Sequence, residues 1–503
     1  MDATRAPHVK AEVVKGMSQV SLIFACGTAL FSDGYANGVF GCVNTILITL
    51  YPDYFSLTNS NYSKIASSIV FAGTLVGMLI FGYISDKLGR KAGMMTSTAI
   101  IALFSALSAA AYGAGTINGM IISLIVYRFF LGIGIGAEYP CGSVAASEQT
   151  EGPGISKMAQ HRYFALATDT MIDWGFVISA FVPLVCLWIF GMSHLEPVWR
   201  LSLGLGVVPA VIVFLWRLRM VESARYARDS MKHAPTPYWL ILRRYWKPLM
   251  AVSATWFIYD FITYPFSIYS SAIVDTLISD PDSLYQSLGW SVVINLFYIP
   301  GTMGGAFLLD YLGAKNTFIL GLLLQAVFGF FMSGFYVQLT QPNHIAGFAV
   351  MYGLFLTFGE VGPGNGLGLF ASKSGPTAFR GQFYGIAAAI GKVGAFIGTW
   401  CFPPMIKAFS HDGADPNRGA TGPFWVGSAL AILSALIAFF FFDPLLHDGM
   451  EANDLAFREY LEQHGYDTSR MGLPEEVVSV SSEVDPISKK EQEAIGFDNA
   501  HAV

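Results

Sequence analysis

The chain has 503 residues, of which 53% are hydrophobic and only 13% are charged, and its mean hydropathy of +0.51 is too high for a soluble protein of this size. The net charge of −6 is small, and we expect no nucleic-acid partner. Because the sequence contains no catalytic triad, metal-ligand set or nucleotide-binding loop, we expect neither an enzyme nor a cofactor.

Twelve apolar stretches are long enough to cross a bilayer, since one transmembrane helix needs about 20 mostly apolar residues. We therefore predict an all-α membrane protein with twelve transmembrane helices. The first sixteen residues are polar, and the apolar run after them is too long for the core of a cleavable signal. In chain order the predicted spans are approximately 17–49, 62–85, 92–114, 118–147, 161–191, 199–221, 247–278, 286–310, 316–338, 344–371, 380–408 and 421–445.

Lysine and arginine are distributed unevenly among the predicted loops. All but six of the 29 belong to the N-terminus, to the loops that follow even-numbered spans, or to the C-terminal tail. Since cytoplasmic loops carry an excess of basic residues, both termini are predicted to be cytoplasmic. The six others are Lys64, Arg128, Arg200, Lys392, Lys407 and Arg418.

A basic loop that contains two prolines separates six spans from six spans and divides the chain into two halves. The sequence after the last span is polar and acidic, and we expect it to be mostly disordered, with a short helix near 451–463. The predicted segments are a cytoplasmic N-terminus (1–16), an N-terminal half (17–221), a cytoplasmic inter-half loop (222–246), a C-terminal half (247–445) and a cytoplasmic tail (446–503).

The small residues of the spans are interpreted as packing residues. All five cysteines lie within apolar stretches, which is not the pattern of a disulfide framework or a metal site. Glycines four residues apart allow helices to approach closely in a membrane. Such pairs occur at Gly34/Gly38, Gly73/Gly77, Gly132/Gly136, Gly301/Gly305 and Gly394/Gly398.

The short loops after the second and eighth spans are alike. The first reads GYISDKLGRKAG, the second reads GAFLLDYLGAKNT, and Asp310 lies 224 residues after Asp86. The first loop resembles the signature loop of the major facilitator superfamily, and YRFFLGIGIG, which contains Arg128, resembles its fourth-span motif. The resemblance implies two parallel six-helix halves with a binding site between them near the midplane. We expect Asp86, Arg90, Lys91, Arg128 and Asp310 to act in gating or packing.

Charged side chains inside the predicted spans are candidates for function, because a charge at the bilayer centre costs about 2.5–3.5 kcal/mol on insertion scales. No histidine lies in the middle of a span, so any proton coupling is expected to depend mainly on carboxylates. The candidates are Asp33, Arg128, Glu138, Asp169, Asp173, Asp260, Glu360 and Lys392.

The seventh span carries three functional side chains at helical spacing. Trp256, Asp260 and Tyr264 are four residues apart and share one face, which offers two aromatic rings and one acceptor. Asp33 and Asp260 lie 53 and 50 residues before the aspartates of the two repeated loops, so they have nearly equal depth. We predict that this face lines the site and that Lys392 is the counter-charge of Asp260.

The sequence alone does not decide whether three other acids line the site. Asp169 and Asp173 are also four residues apart, and either could line the site or lie near the inner end of the fifth span, with Asp173 the deeper of the two. Glu360 could equally be a packing or a site residue. The glycines and proline at 362–364 could merely kink the tenth span, or could expose backbone amides to an anion.

Three motifs together resemble the phosphate:proton symporter branch of the superfamily. They are GIGIGAEYPCGSVAASE in the fourth span, W-x-x-x-D-x-x-x-Y in the seventh, and VGPGN followed by PTAFRGQFYGIAAAIGKVGAF in the tenth and eleventh. By position, the resemblance assigns proton coupling to Asp33 and Glu138. It assigns phosphate binding to Tyr139, Trp256, Asp260, Tyr264, Asn365 and Lys392, to which we add Asp173 as a substrate contact.

The departures from that branch indicate a different substrate. Glu138 replaces an aspartate, GPGN shifts Asn365 by one residue, and acids stand near the position of a glutamine in the fifth span. These features resemble the fungal glycerophosphoinositol permeases. An additional acid would repel a phosphate dianion, but it could accept hydrogen bonds from inositol or glycerol hydroxyls or attract a choline cation.

The sequence therefore predicts a monomeric, proton-coupled importer of glycerophosphodiesters, such as glycerophosphoinositol or glycerophosphocholine, that works by alternating access in a fungal plasma membrane. Its predicted partners are the small-molecule substrate, protons and the lipid bilayer. One alternative is an inorganic phosphate:proton symporter, and another is a nutrient sensor with little flux. The head-group preference and the proton stoichiometry stay open.

Overall fold

The computed structural model describes residues 17–55, 61–220, 222–275, 283–341, 344–411 and 415–473. Every regular element in these ranges is helical. The helices up to the inter-half loop are α1 (Gln19–Gly27), α2 (Phe31–Leu50), α3 (Asn61–Lys87), α4 (Arg90–Ala109), α5 (Ile117–Glu138), α6 (Val144–Thr150), α7 (Gln160–Ala167), α8 (Asp169–Phe190), α9 (Leu195–Gly204), α10 (Val207–Arg217) and α11 (Ala224–Asp229).

The second part of the chain contains ten helices within the described ranges. They are α12 (Tyr238–Asp275), α13 (Ser283–Leu296), α14 (Tyr298–Tyr311), α15 (Ala314–Gly334), α16 (Tyr336–Leu339), α17 (Ile345–Gly359), α18 (Asn365–Lys373), α19 (Arg380–Phe409), α20 (Pro416–Phe441) and α21 (Gly449–Gln463).

Ten helical segments in the described part of the chain are long and apolar enough to cross a membrane. They correspond to the predicted spans other than the first and the seventh. The first stretch is interrupted by a 3₁₀ turn between α1 and α2. The described part of the seventh lies within α12, whose 38 residues include Pro248 and Pro265. The number of crossings and the cytoplasmic placement of both termini remain predictions.

The predicted inter-half loop, residues 222–246, is partly helical in the structure. The inter-half loop contains α11, and α12 begins at Tyr238, before the predicted start of the seventh span. The tail helix expected near 451–463 is present as α21, whose Phe457 and Leu461 pack in a small cluster with Tyr245 and Phe383. The N-terminal segment 1–16 and the tail beyond 473 lie outside the described residues.

Glycine pairs bring helices into backbone contact within each half. A β-carbon at Gly73 of α3 would lie 2.0 Å from the carbonyl oxygen of Phe129 in α5, and one at Gly394 of α19 would lie 2.2 Å from that of Phe257 in α12. These distances are far below any van der Waals separation, so only glycine fits. The packing explains why the predicted glycine pairs occur in these helices.

Two wide helical turns of five residues interrupt otherwise regular helices, at Tyr139–Ser143 and Glu360–Gly364. Each contains a proline, which removes one backbone hydrogen bond and favours a local widening of the helix. The repeat relates them, because 224 residues after Tyr139 is Pro363. Both turns place side chains at the contact between the two halves.

The close α3–α5 contact gives a direct test of this packing. Gly73→Ala should lower the free energy of unfolding by about 1–3 kcal/mol, because the added methyl group meets rigid backbone. Thermal unfolding in detergent measures the effect. Gly304→Ala is the matched control, since a β-carbon there has no neighbour within 4 Å; it should be neutral or slightly stabilising. Equal melting temperatures for the two variants would contradict the close-packing explanation.

Candidate functional site

A cavity lies between the two halves of the molecule, bounded by α8 on one side and by α12, α18 and α19 on the other. Its volume is about 50 Å³, counted over the positions that the centre of a water molecule can occupy. This is room for about four water molecules. The side chains predicted to bind substrate all line it: Tyr139, Asp173, Trp256, Asp260, Tyr264, Asn365 and Lys392.

Lys392 of α19 is the centre of a charged network in this cavity. Its ammonium nitrogen lies 3.3 Å from Asp260 Oδ2 and 3.8 Å from Asp33 Oδ2, and it donates a hydrogen bond to the hydroxyl of Tyr264. The same nitrogen lies 5.1 Å from the centre of the Tyr139 ring. The pairing of Lys392 with Asp260 expected from the sequence is thus present in the structure, and Asp33 joins it from the other half.

Asp33 of α2 lies beside the cavity and is fully buried. Its Oδ2 accepts hydrogen bonds from the hydroxyls of Tyr139 at 2.8 Å and Tyr264 at 2.6 Å, and its Oδ1 accepts one from Asn37 at 2.9 Å. Two carboxylates therefore lie within ion-pair distance of one ammonium group, and the short hydrogen bonds to Asp33 come from the two tyrosines. In a buried site this arrangement has one negative charge in excess, which a proton can neutralise.

Glu138 occupies a different environment from the one the sequence suggested. Its two oxygens accept hydrogen bonds from Arg217 of α10 at 2.7 and 2.8 Å, and Ser97 donates a third at 2.5 Å. Arg217 is completely buried and also donates to the carbonyl oxygens of Ala25 and Cys26. This ion pair ties α1, α4, α5 and α10 together and does not line the cavity.

Sequence reasoning missed Arg217 because it lies near the end of the predicted sixth span, where a basic residue is ordinarily explained by the cytoplasmic charge bias. One signal in the sequence could have found it. Glu138 lies in an apolar span, and a buried carboxylate needs a cation nearby, so a basic residue at the end of a neighbouring span was a candidate partner.

Three acids form a second group of charges on the cavity wall. One carboxylate oxygen from each of Asp169, Asp173 and Glu360 lies within 4.8 Å of the others. The hydroxyl of Tyr259 donates to both oxygens of Glu360 at 2.7 and 2.8 Å, and Thr302 donates to Asp169 at 3.3 Å. Both aspartates line the cavity, which answers the question that helical spacing left open. We call these three residues the acidic triad.

Asn365 has a structural task at this wall. Its amide nitrogen donates to the carbonyl oxygens of Thr302 at 2.9 Å and Glu360 at 2.8 Å. The second of these bonds bridges the wide turn Glu360–Gly364. The side chain therefore fixes the turn that presents Glu360, in addition to lining the cavity.

The predicted gating residue Asp86 lies at the contact between α3 and α19. Its carboxylate accepts hydrogen bonds from the backbone nitrogens of Gly381 at 2.8 Å and Gln382 at 2.9 Å, at the N-terminus of α19. Arg90 donates to Asp86 at 3.1 Å and to Glu148 at 3.0 Å, and Glu148 also pairs with Arg380 at 3.3 Å. The bonds from α19 to Asp86 and the Glu148–Arg380 pair cross from one half to the other. A carboxylate at a helix N-terminus is favoured by the helix dipole.

The tail helix reinforces this contact. Asp454 of α21 accepts hydrogen bonds from the backbone nitrogen of Thr377 at 2.6 Å and its hydroxyl at 2.7 Å. Burial raises the pKa of Asp454, while the nearby guanidinium of Arg380 acts in the opposite direction.

The other predicted gating or packing residues lie around the periphery of the site. Asp310 lies 4.0 Å from the His161 ring and 3.9 Å from Arg162, at the start of α7. Lys91 donates to the carbonyl oxygen of Leu218 at 3.1 Å. Arg128 is buried, donates to the carbonyl oxygen of Ala66 at 2.9 Å, and lies 3.8 Å above the centre of the Phe40 ring.

Comparison with known proteins identifies the family. The chain matches the family described as "Sugar (and other) transporter" twice, over residues 20–236 and over residues 228–450. This chain belongs to that transporter family, within the major facilitator superfamily. The family and the apolar helices make this chain a multi-pass membrane transporter.

Two curated relatives and one solved structure define the similarity more closely. The chain is 46% identical over 452 residues to the glycerophosphocholine permease GIT4 of Candida albicans, covering 89% of this chain and 83% of the relative. It is 43% identical over 494 residues to the major glycerophosphoinositol permease GIT3 of the same organism, covering 97% and 91%. The resemblance to fungal permeases of this kind, predicted from the motifs, is confirmed.

The solved structure is that of the proton:xylose symporter XylE bound to a bromodeoxyglucose, with 18% identity and a TM-score of 0.71 over 86% of this chain and 98% of that one. At this identity the likeness shows the fold alone. It confirms the all-helical fold of the superfamily that the repeated loops predicted.

The Arg217–Glu138 pair can be tested for a structural role. Arg217→Met should lower the free energy of unfolding by about 3–5 kcal/mol, because it leaves a buried carboxylate without its cation. The double variant Arg217→Met/Glu138→Gln should recover most of that loss. Thermal unfolding in detergent measures both, with Arg219→Met, an exposed position two residues away, as the control. A double variant as unstable as Arg217→Met alone would contradict the ion-pair explanation.

Proposed function

We propose that this protein is a proton-coupled carrier that imports glycerophosphodiesters across the fungal plasma membrane by alternating access. The observation that carries the proposal is Lys392, held by Asp260 and Asp33 at the cavity between the two halves. The close relatives named as glycerophosphocholine and glycerophosphoinositol permeases supply the class of substrate.

The charge of the cavity suits a phosphodiester. Such a substrate carries one negative charge, which the single ammonium group of Lys392 can balance. The hydroxyls of Tyr139 and Tyr264 lie next to that group and can donate to phosphate oxygens once Asp33 no longer holds them. Trp256 and Asn365 complete the proposed phosphate subsite from α12 and α18.

Proton coupling follows from the excess of acid around Lys392. An anionic substrate, Asp33 and Asp260 would together place three negative charges around one cation, which is unfavourable in a buried site. Protonation of Asp33 removes one of them and releases the tyrosine hydroxyls toward the substrate. We assign the proton to Asp33, and to Asp260 as the second carboxylate of the pair. Glu138 stays engaged with Arg217 in this scheme, which departs from the assignment that the motif resemblance implied.

Alternating access would use the contacts between the halves. Asp86 holds the N-terminus of α19, and α19 also carries Lys392, so loss of the Asp86 contacts would let the helix that bears the site move. Substrate that displaces Asp260 from Lys392 would change the balance between the closed cavity and an open one, because it binds the two states with different affinity.

The inorganic-phosphate alternative is less compatible with the cavity wall. A phosphate dianion would have to bind in a space that the acidic triad shares, and the three carboxylates would repel it. Competition of labelled diester uptake by unlabelled phosphate distinguishes the two transporters, and measurable flux in proteoliposomes distinguishes either from a sensor.

The anion subsite is tested by Lys392→Ala. Uptake of labelled glycerophosphoinositol into proteoliposomes should fall on the order of 100-fold, because truncating one partner of a buried charge network costs 2–5 kcal/mol. Lys407→Ala, an exposed position on the same helix, should stay within about twofold of the wild type. Size-exclusion profiles confirm that both variants are folded. Undiminished uptake by Lys392→Ala would exclude the proposed anion site.

Proton coupling is tested by Asp33→Asn. Uptake by the wild type should rise with an inward acid gradient, whereas the variant should lose this response and retain exchange of labelled for unlabelled substrate. Exchange is the informative readout because it needs no net proton movement. The exposed Asp53→Asn variant is the control and should respond to the gradient. A gradient response that persists in Asp33→Asn would contradict the assignment of the proton to this residue.

A further inference from the structure

The cavity has a cationic pole and an acidic pole. Lys392 is the one cationic side chain among the described residues that line it, and it is already shared by Asp260 and Asp33. The acidic triad lines the same cavity and adds up to three further negative charges. A simple anion would satisfy the first pole and leave the second uncompensated.

Other buried acids of this protein are paired with arginine or with Lys392, and within the described residues the acidic triad has no such cation. Glu148 lies 3.0 Å from Arg90 and 3.3 Å from Arg380, and Glu138 is held by Arg217. The hydrogen bonds of the acidic triad come from the neutral hydroxyls of Tyr259 and Thr302 and from a contact between the carboxyl groups of Asp169 and Glu360, and none comes from a cation among the described residues. Buried carboxylates are normally paired with a cation, so the triad lacks the partner that a purely structural role would provide.

Two polar atoms that line the cavity also lack hydrogen-bond partners. Asp173 Oδ2 and the hydroxyl of Thr263 have no hydrogen bond, although both side chains are at least nine-tenths buried. Thr263 is independent of the acidic triad and lies on α12, across the cavity from α8. Buried polar groups are nearly always satisfied in a functioning state. These atoms therefore indicate a ligand in the cavity that also carries hydroxyl groups, which the glycerol part of a glycerophosphodiester supplies.

Aromatic rings line the cavity that holds the acidic triad. Trp256, Tyr259 and Tyr384 line it from α12 and α19, and Phe164 and Phe176 line it from α7 and α8. The Trp256 and Tyr384 rings pack edge to face, with their centres 5.4 Å apart. Aromatic faces together with carboxylates are the surroundings that recognise a quaternary ammonium group, which offers no hydrogen-bond donors.

We propose that Asp169, Asp173 and Glu360 form the subsite for a cationic head group, so that this carrier selects a zwitterionic glycerophosphodiester that bears a quaternary ammonium, as glycerophosphocholine does. The inference rests on the proposed function and extends it to the choice of substrate. The phosphodiester occupies the Lys392 pole and the trimethylammonium group occupies the acidic pole. The bound substrate then has no net charge, and each of its charges meets its complement.

The position of the acidic triad gives the head group a further effect. Asp169 and Asp173 belong to α8 of the first half, and Glu360 belongs to the second. When the cavity closes, carboxylates from the two halves approach each other. A cation between them removes the repulsion and favours closure, whereas the hydroxyls of an inositol head accept and donate hydrogen bonds but leave the charge in place.

The experiment is competition of labelled glycerophosphocholine uptake in proteoliposomes by three unlabelled compounds. These are glycerophosphocholine, glycerophosphoinositol, and an analogue of glycerophosphocholine in which carbon replaces the ammonium nitrogen. We call it the neutral analogue because its head group is uncharged, although its phosphodiester keeps one negative charge. For the wild type, glycerophosphocholine should compete at concentrations at least 10-fold lower than either of the other two. The neutral analogue has the same shape, so its weaker competition reports the charge alone.

Substitution of the acidic triad should abolish this preference. In Asp173→Asn and in Glu360→Gln, half-maximal competition by glycerophosphocholine should need at least 10-fold more compound, while the neutral analogue changes less than threefold. Two variants from different halves are used so that a folding defect in one does not decide the result, and size-exclusion profiles select the folded protein. Glu196→Gln, an exposed acid on α9, is the control and should match the wild type.

Several outcomes would overturn the inference. These are equal competition by the neutral analogue and glycerophosphocholine in the wild type, a wild-type preference for glycerophosphoinositol, or variants that weaken all three competitors alike. A loss of gradient response with unchanged selectivity would make the acidic triad a proton site and also overturn it. Transport of no diester at all would instead refute the proposed function, so the two failures are distinguishable.

Discussion

The burial of one ammonium group between the halves is the constraint on which the rest of the site depends. Lys392 is 1% exposed, and a charge so far from water requires compensation from nearby carboxylates and dipoles. Asp260 supplies this from the neighbouring helix, and Asp33 supplies it from the other half. Since the compensating acids come from both halves, any change in the charge of this network alters the energy of their association.

The same balance of charge distinguishes the contact between α3 and α19, which we call the gate, from the cavity. At the contact between α3 and α19, each acid has an arginine or a helix N-terminus, so the closed arrangement is electrostatically complete. In the cavity the acids outnumber the cations. A complete network holds the halves together without a ligand, whereas an incomplete one needs a proton, an anion or a cation from outside. This difference is what makes the cavity, rather than the gate, the place where solutes act.

The Arg217–Glu138 pair shows how a motif can be recognised correctly and its chemistry assigned differently. The sequence GAEYP resembles the proton-coupling motif of the phosphate branch. Glu138 is one methylene group longer than the aspartate of that motif, and its carboxylate contacts Arg217. Tyr139, the next residue, points to the opposite side and meets Asp33 in the cavity network. Two adjacent residues thus serve separate networks, one within a half and one between the halves.

The wide turns at Tyr139–Ser143 and Glu360–Gly364 each begin with a residue that lines the cavity. Neighbouring side chains of a helix lie about 100° apart around its axis. Glu138 and Tyr139 can therefore point to different networks. The repeated position of the two turns indicates that both halves use the same device.

Much of the architecture could be read from the sequence, because long apolar runs and paired loops depend on local composition and on an internal repeat. The hydropathy located the helices, the glycine pairs anticipated the α3–α5 and α12–α19 contacts, and the helical spacing placed Trp256, Asp260 and Tyr264 on one face. The pairing of Lys392 with Asp260 was also predictable, since few intramembrane cations were available. Helix ends such as the start of α12 were not, because an aromatic and basic segment is compatible with either a loop or a helix.

What only the tertiary structure decided is which charges meet. Hydropathy and spacing place an acid at a depth and on a face, but contacts between helices depend on how all of them pack. The partnership of Arg217 with Glu138, the approach of Asp33 to Lys392 and the convergence of Asp169, Asp173 and Glu360 each join residues far apart in the chain. By itself the sequence determined the membrane class, the fold and the family, because these follow from composition and motif. The distribution of charge around the cavity is a long-range property, and only the packed helices reveal it.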